Sequence, residues 1–175
     1  NDSSIIYYKK ALKIDPKSPE ALNNIGNIYK ELNQYDDAIE SFQKAISYKS
    51  DYVEANYSLG ITYQNQGELQ EALKCFLKVA QMKPDFAEVH NNISIIFYEL
   101  KNFDLAIQHL NCALSIEPSY AEAYFNLGNI YIEMGDLEES VESYQRALKI
   151  NPNFLEVLNN LGSVYKDLNR LDKTS

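Results

Sequence analysis

Asparagine recurs along this chain at a spacing that could do chemistry. Asn92, Asn126 and Asn160 stand 34 residues apart, Asn24 lies two such steps before Asn92, and Ser58 fills the place between. A carboxamide offers a carbonyl acceptor and an NH2 donor, so it can pair with both backbone groups of an extended peptide whatever that peptide's sequence. Other amides and rings keep the same step. Asn23, Tyr57, Asn91, Phe125 and Asn159 come one residue earlier, and Asn27, Ile61, Ile95, Asn129 and Ser163 three residues later. Covalent chemistry has no such support. The two histidines, His90 and His109, have no cysteine or serine nucleophile beside them in a recognisable arrangement. Cys75 and Cys112 show neither metal spacing nor a disulfide framework, which fits a reducing, cytoplasmic or nucleocytoplasmic setting. No phosphate-binding glycine loop occurs. No catalytic residue, metal or cofactor is therefore expected.

The elements that must carry these residues follow from the same period. Gly26, Gly60, Ser94, Gly128 and Gly162 recur every 34 residues, each followed three residues on by Tyr29, Tyr63, Phe97, Tyr131 or Tyr165. Twelve residues after the first four come Ala38, Ala72, Ala106 and Ser140, and four further on Phe42, Phe76, Leu110 and Tyr144. Pro16, Pro84, Pro118 and Pro152 punctuate the repeat, with Ser50 in the remaining place. A fixed period of this size means a stacked array of helix–turn–helix units. In the best-marked repeat the apolar spacing predicts one helix from about Tyr120 to Met134 and a second from about Leu137 to Ile150. Gly135 is expected to end the first in a left-handed conformation and Asp136 to cap the second. Asn151 and Pro152 stop it. Glycine inside a helix costs about 1 kcal/mol against alanine, so its recurrence needs a packing reason. The expected reason is close helix approach, with the bulky residue sixteen places later filling the gap.

These residues carry a resemblance. The stretches AEAYFNLGNIY (121–131), GDL (135–137) and YQRALKINP (144–152) closely resemble the tetratricopeptide repeat, and the likeness extends over almost the whole chain. It implies an all-α, right-handed superhelical solenoid of stacked antiparallel helix pairs. Full units are expected at 19–52, 53–86, 87–120 and 121–154, with the second helix of a partial unit at 1–18 and the first helix of another at 155–175. In proteins of this kind the first helices line a concave groove, chiefly with positions 2, 5, 6, 9, 12 and 13 of each unit. The implied groove residues here are Asn24, Asn92, Asn126 and Asn160 at position 6, Asn27 and Asn129 at position 9, and Asn23, Tyr57, Asn91, Phe125 and Asn159 at position 5. Chaperone-binding members hold a terminal carboxylate with lysine at positions 5 and 2 and arginine at 6. This chain has amides, rings and glutamates there instead. The position-6 column also resembles the asparagine ladder in the repeat arm of O-linked N-acetylglucosamine transferases. Because asparagine at position 6 is also common among these repeats generally, ladder and plain scaffold both stand as readings.

Charge narrows the partners. The net charge is −9, from 16 basic and 25 acidic residues, which disfavours nucleic acid and anionic membrane surfaces. Glutamate fills position 2 (Glu20, Glu54, Glu88, Glu122, Glu156), and position 13 reads Glu31, Asn65, Glu99, Glu133, Asp167. An extended protein or peptide segment, neutral to basic, is the expected partner. No run of 18 apolar residues occurs and no charged-then-apolar stretch opens the sequence as given, so neither a membrane span nor a signal peptide is expected from it. The chain is expected to begin in a second helix and to stop early in another at Ser175. Leu158, Leu161 and Tyr165 are then expected to lack cover, as in a piece of a longer array with frayed or self-associating ends. The leading functional expectation is a non-catalytic protein-interaction scaffold. The alternative is the substrate arm of a larger glycosyltransferase, and the third is a purely structural stack.

Overall fold

Three times along the chain a glycine meets an aromatic ring sixteen residues ahead. A Cβ on Gly26 would lie 2.7 Å from the Phe42 ring, on Gly60 2.6 Å from Phe76, and on Gly128 2.4 Å from Tyr144. These distances are far inside van der Waals contact, so the glycines are what let the rings in. In the third repeat Ser94 replaces the glycine and Leu110 the ring, and both are buried. Volume is thus exchanged within one pair of positions, as a close-packed interior requires. Phe42, Phe76, Leu110 and Tyr144 are fully buried, each contributing about 1.5–3 kcal/mol by removing apolar surface from water.

The computed structural model describes residues 2–171, with ten α-helices and no strand among them. The chain divides into two compact units, Asn1–Pro84 and Asp85–Ser175. The first holds α1 (Asp2–Ile14), α2 (Pro19–Glu31), α3 (Tyr35–Tyr48), α4 (Val53–Asn65) and α5 (Leu69–Met82). The second holds α6 (Ala87–Glu99), α7 (Phe103–Ile116), α8 (Ala121–Met134), α9 (Leu137–Ile150) and α10 (Leu155–Leu171). Within the units, α2 packs on α3, α4 on α5, α6 on α7 and α8 on α9, and α4 and α8 also pack on the helix before them. Short connections make such neighbours antiparallel. In the first unit the core gathers Leu22, Ala45 and Ala55, and separately Ala38, Phe42 and Leu59. In the second, Ala106, Leu110, Leu127 and Ile130 form one cluster, and Tyr144, Ala147, Val157 and Leu161 another.

Each tight turn is made by a left-handed residue at the same place in the repeat: Asn33 and Lys101 at φ 57°, Gly67 at 79° and Gly135 at 88°. Gly135 therefore ends α8 as the sequence predicts. The residues before Pro84, Pro118 and Pro152 leave the helical region: Lys83 at φ −137°, Glu117 at −128° and Asn151 at −123°. Three expectations need correction. Asp136 occupies the N-cap place of α9, but its side chain makes no capping bond, whereas Ser18 and Asn102 do cap α2 and α7. Leu161 is buried in the cluster around Tyr144, while Leu158 and Tyr165 are exposed as expected. α10 also continues through Asn169, where the other repeats turn, because Asn169 keeps helical geometry with its Nδ2 on the Tyr165 carbonyl. A helix beginning by Ser175 lies outside the described residues.

Candidate functional site

The first helices of the second unit, α6, α8 and α10, present two adjoining clefts. One, of about 250 Å3, lies between α6 and α8 and is lined by Ser94, Ile95, Tyr98, Glu99, Asn126, Asn129 and Ile130. The next, of about 240 Å3, lies between α8 and α10 and is lined by Tyr98, Asn129, Ile132, Glu133, Asn160 and Ser163. Tyr98 and Asn129 belong to both. Most of these residues occupy positions 6, 9, 12 and 13 of the repeat, which fall on one helix face at three- and four-residue steps.

The asparagines there are joined to one another. Asn126 Nδ2 donates to Asn91 Oδ1 on the preceding first helix at 2.8 Å. Asn160 Nδ2 donates to Asn129 Oδ1 at 3.1 Å and to the Tyr144 hydroxyl at 3.3 Å, and that hydroxyl donates to the same Asn129 Oδ1 at 2.6 Å. In the first unit Ser58 Oγ donates to Asn27 Oδ1 at 3.1 Å. Position 6 thus reaches back to whichever amide the previous repeat supplies at position 5 or 9. Where both stand, the short Ser58 reaches only Asn27. Asn23 Oδ1 is left buried with no hydrogen-bond partner.

Glu99 and Glu133 set the charge of the clefts. Glu133 Oε2 lies 3.1 Å from Lys101 Nζ, an ion pair largely open to water. Lys101 Nζ also sits 5.3 Å from the centre of the Tyr98 ring. Burial, then the Glu133 carboxylate, push the Tyr98 hydroxyl above the ordinary tyrosine range, with Lys101 opposing. Lys101 holds a left-handed backbone that a side chain rarely adopts, so the cation is aimed from a strained turn.

The remaining expected groove residues are placed differently. Asn23 and Asn91 are each only 6% exposed, packed among the helices. Phe125 lies half-buried between the rings of Tyr144 and Phe154, 6.1 and 5.2 Å away. Tyr57 leans on Phe76 at 5.8 Å. Asn24, Asn92 and Asn27 are half-buried, and Asn159 is exposed on α10. Reading the sequence by position 6 passed over Tyr98. Position 12 reads Lys30, Gln64, Tyr98, Ile132 and Lys166, and its lone aromatic was the available signal.

Outside the clefts the two histidines meet, which their spacing did not announce. Their Nδ1 atoms are 3.1 Å apart and their rings stack at 5.4 Å, with Phe97 stacked on His109 at 5.7 Å. Burial, then the charge of His90, hold His109 below the ordinary histidine range. Cys75 is a free thiol pushed up to about 11, first by burial and then by Glu71. Among the described residues no group of three His, Cys, Asp or Glu could hold a metal ion, and no helix is long and apolar enough to cross a membrane. Second helices frame further clefts of about 420 Å3, one between α3 and α5 in the first unit and one between α7 and α9 in the second.

Comparison with known proteins agrees with the fold of stacked helix pairs. The family model for the TPR repeat matches residues 26–67, 95–135 and 128–169, and two models for the tetratricopeptide repeat match 7–40 and 53–86. No curated protein sequence matches the chain. Among solved structures, MamA is similar with a TM-score of 0.79 and 28% identity, over 87% of this chain and 89% of MamA. The first TPR of Spaghetti (RPAP3), bound to the HSP90 peptide SRMEEVD, is similar with a TM-score of 0.64 and 28% identity, over 66% of this chain and 92% of that one. YrrB, a TPR protein with an unusual peptide-binding site, shares the fold at a TM-score of 0.75 and 20% identity, over 93% of this chain and 84% of YrrB. The repeat, its helix pairs and the matched residues together place this chain in the tetratricopeptide repeat family.

Proposed function

We propose that the chain is a non-catalytic protein-interaction module that holds an extended, non-acidic peptide along α6, α8 and α10. The observation that carries this reading is the pair of adjoining clefts that share Tyr98 and Asn129. A similar repeat domain, that of RPAP3, holds an HSP90 peptide, SRMEEVD. That ligand is acidic, whereas Glu99 and Glu133 border the clefts here, so like charge opposes it.

The asparagines contribute less than a free ladder would. Net hydrogen bonds are worth roughly 0.5–1.5 kcal/mol each. Association costs an estimated 4–15 kcal/mol. Asn160 Nδ2 already donates to the Asn129 and Tyr144 oxygens, and Asn91 Oδ1 already accepts from Asn126. Apolar contact with Tyr98, Ile95 and Ile132 must therefore supply much of the affinity. Titrating the 15N-labelled chain with blocked neutral, basic and acidic decapeptides tests the reading. Shifts at Tyr98, Asn126, Asn129 and Asn160 with neutral or basic peptides support it. Shifts confined to α7 and α9, or equal response to acidic peptides, sink it.

A second reading rests on the recurrence of Asn24, Asn92, Asn126 and Asn160. By its resemblance to the arm of O-linked N-acetylglucosamine transferases, the array would be the substrate-recognition arm of a larger glycosyltransferase. It requires the parent polypeptide to transfer N-acetylglucosamine to proteins this arm captures. A parent that turns over no sugar nucleotide ends it.

A further inference from the structure

The two clefts along α6, α8 and α10 differ in what they offer a ligand. The first is walled by Ile95, Ile130 and Tyr98, with Glu99 and two amides at its edge. Drug-sized ligands occupy pockets of roughly 300–1,000 Å3, so a cleft of about 250 Å3 fits one apolar side chain rather than such a molecule. The second cleft is rich in acceptors. Asn160 Nδ2 already donates to Asn129 and Tyr144, its carbonyl oxygen is an acceptor, and beside it stand the Glu133 carboxylate and the Tyr98 hydroxyl. Acceptors call for donors, and lysine and arginine carry donors without acceptors.

The helices set the spacing. Packed helices lie about 8–10 Å apart. An extended chain in polyproline II geometry rises about 3.1 Å per residue with three residues per turn, so a peptide crossing from one cleft to the next advances by about three residues and presents both side chains on one face. We infer that this face selects an extended segment with an apolar side chain in the α6–α8 cleft and a lysine or arginine three residues away in the α8–α10 cleft. The inference rests on the proposed groove and adds its specificity. Lys101 already pairs with Glu133, the carboxylate that the ligand's cation would meet. That pair is exposed, and exposed pairs hold weakly, so a ligand cation exchanges with it readily.

The test uses the blocked, fluorescein-labelled peptides SGLASRSG and its opposite order SGRASLSG, since chain direction is not fixed by the clefts. Their variants carry glutamate or serine for arginine, serine for leucine, or spacings of two and five. Affinity is read by fluorescence anisotropy and location by 15N shifts. One of the two orders should bind about tenfold or more tighter than its glutamate variant, because like charges then face each other. Glu133→Gln should erase most of that discrimination. Lys101→Gly, placed where the backbone is already left-handed, should strengthen binding of the arginine peptide by removing its competitor. Equal affinity for arginine, serine and glutamate variants, or indifference to spacing, overturns the inference. If shifts still fall on Tyr98, Asn129 and Asn160 in that case, the groove itself stands. If none of the peptides moves those residues, both fail.

Discussion

Replacing Ser58 with asparagine should stabilise the first unit. In the second unit, position 6 is asparagine and satisfies an amide of the previous repeat, Asn126 to Asn91 at 2.8 Å and Asn160 to Asn129 at 3.1 Å. In the first unit both candidate acceptors are present, Asn23 and Asn27, but Ser58 has a single hydroxyl proton and donates it to Asn27 at 3.1 Å. Asn23 Oδ1 is consequently buried without a partner. An unsatisfied buried acceptor costs about 1–3 kcal/mol, and a made bond returns about 0.5–1.5 kcal/mol net. Asparagine at 58 has two N–H groups, one for each oxygen. Ser58 is only 9% exposed, so ordering and packing the larger side chain takes back part of the gain. The expected net is about 1 kcal/mol in favour of the variant. It is read as a higher urea midpoint at unchanged m-value, followed by circular dichroism. The same substitution with Asn23→Ala should gain much less, since the orphan is gone. Asn126→Ser should lose a comparable amount by leaving Asn91 Oδ1 unpaired. A destabilised Ser58→Asn, or a gain that ignores residue 23, refutes the back-reaching amide network.

Other substitutions probe the same packing and the titrating groups. Gly128→Ala should destabilise by about 1–3 kcal/mol through overpacking, more than the roughly 1 kcal/mol of helix propensity it gains, because its Cβ would lie 2.4 Å from the Tyr144 ring. Adding Tyr144→Leu, the arrangement of Ser94 and Leu110, should recover part of that loss. Gly162→Ala, whose Cβ meets nothing within 4 Å, should stabilise by about 0.5–1 kcal/mol in the same urea assay. His109 has a folded pKa below its unfolded value, so the unfolded chain binds the extra proton. Stability should therefore be full above the ordinary histidine range and fall as pH drops through it to the lower folded pKa. Urea midpoints at successive pH values should show this loss, reduced in His109→Phe. Cys75, held near 11, should react slowly with iodoacetamide at pH 8 in the folded chain and at a normal rate in urea.

Much of the fold was legible because the period repeats each decision. Gly26, Gly60 and Gly128 with Phe42, Phe76 and Tyr144 announced close helix approach, and the rings do occupy the space a Cβ would take. Pro84, Pro118 and Pro152 marked helix ends because proline acts on its neighbour's backbone locally. The candidate site was less legible, since it depends on where side chains go between repeats. Position 6 looked like a row of free amides, yet Asn126 and Asn160 turn back to Asn91 and Asn129. Nothing in a single repeat reveals a bond that spans about one period. Asn23 and Asn91 share the column of Phe125 and Asn159, but their burial depends on the neighbouring helix. Tyr98 was hidden for the opposite reason. It is the exception in its column, while a periodic reading rewards agreement. His90 and His109 likewise lie nineteen residues apart on two helices, and only the packing of α6 on α7 brings them together.

The most direct measurement is of intermolecular NOEs between the labelled chain and whichever of the SGLASRSG and SGRASLSG peptides binds tighter. Contacts from the peptide's leucine methyls to the Tyr98 ring and the Ile95 methyls are the expected result, placing the ligand across α6, α8 and α10. Contacts instead to Leu114, Tyr124 and Arg146, which line the cleft between α7 and α9, would contradict the site proposed for this protein.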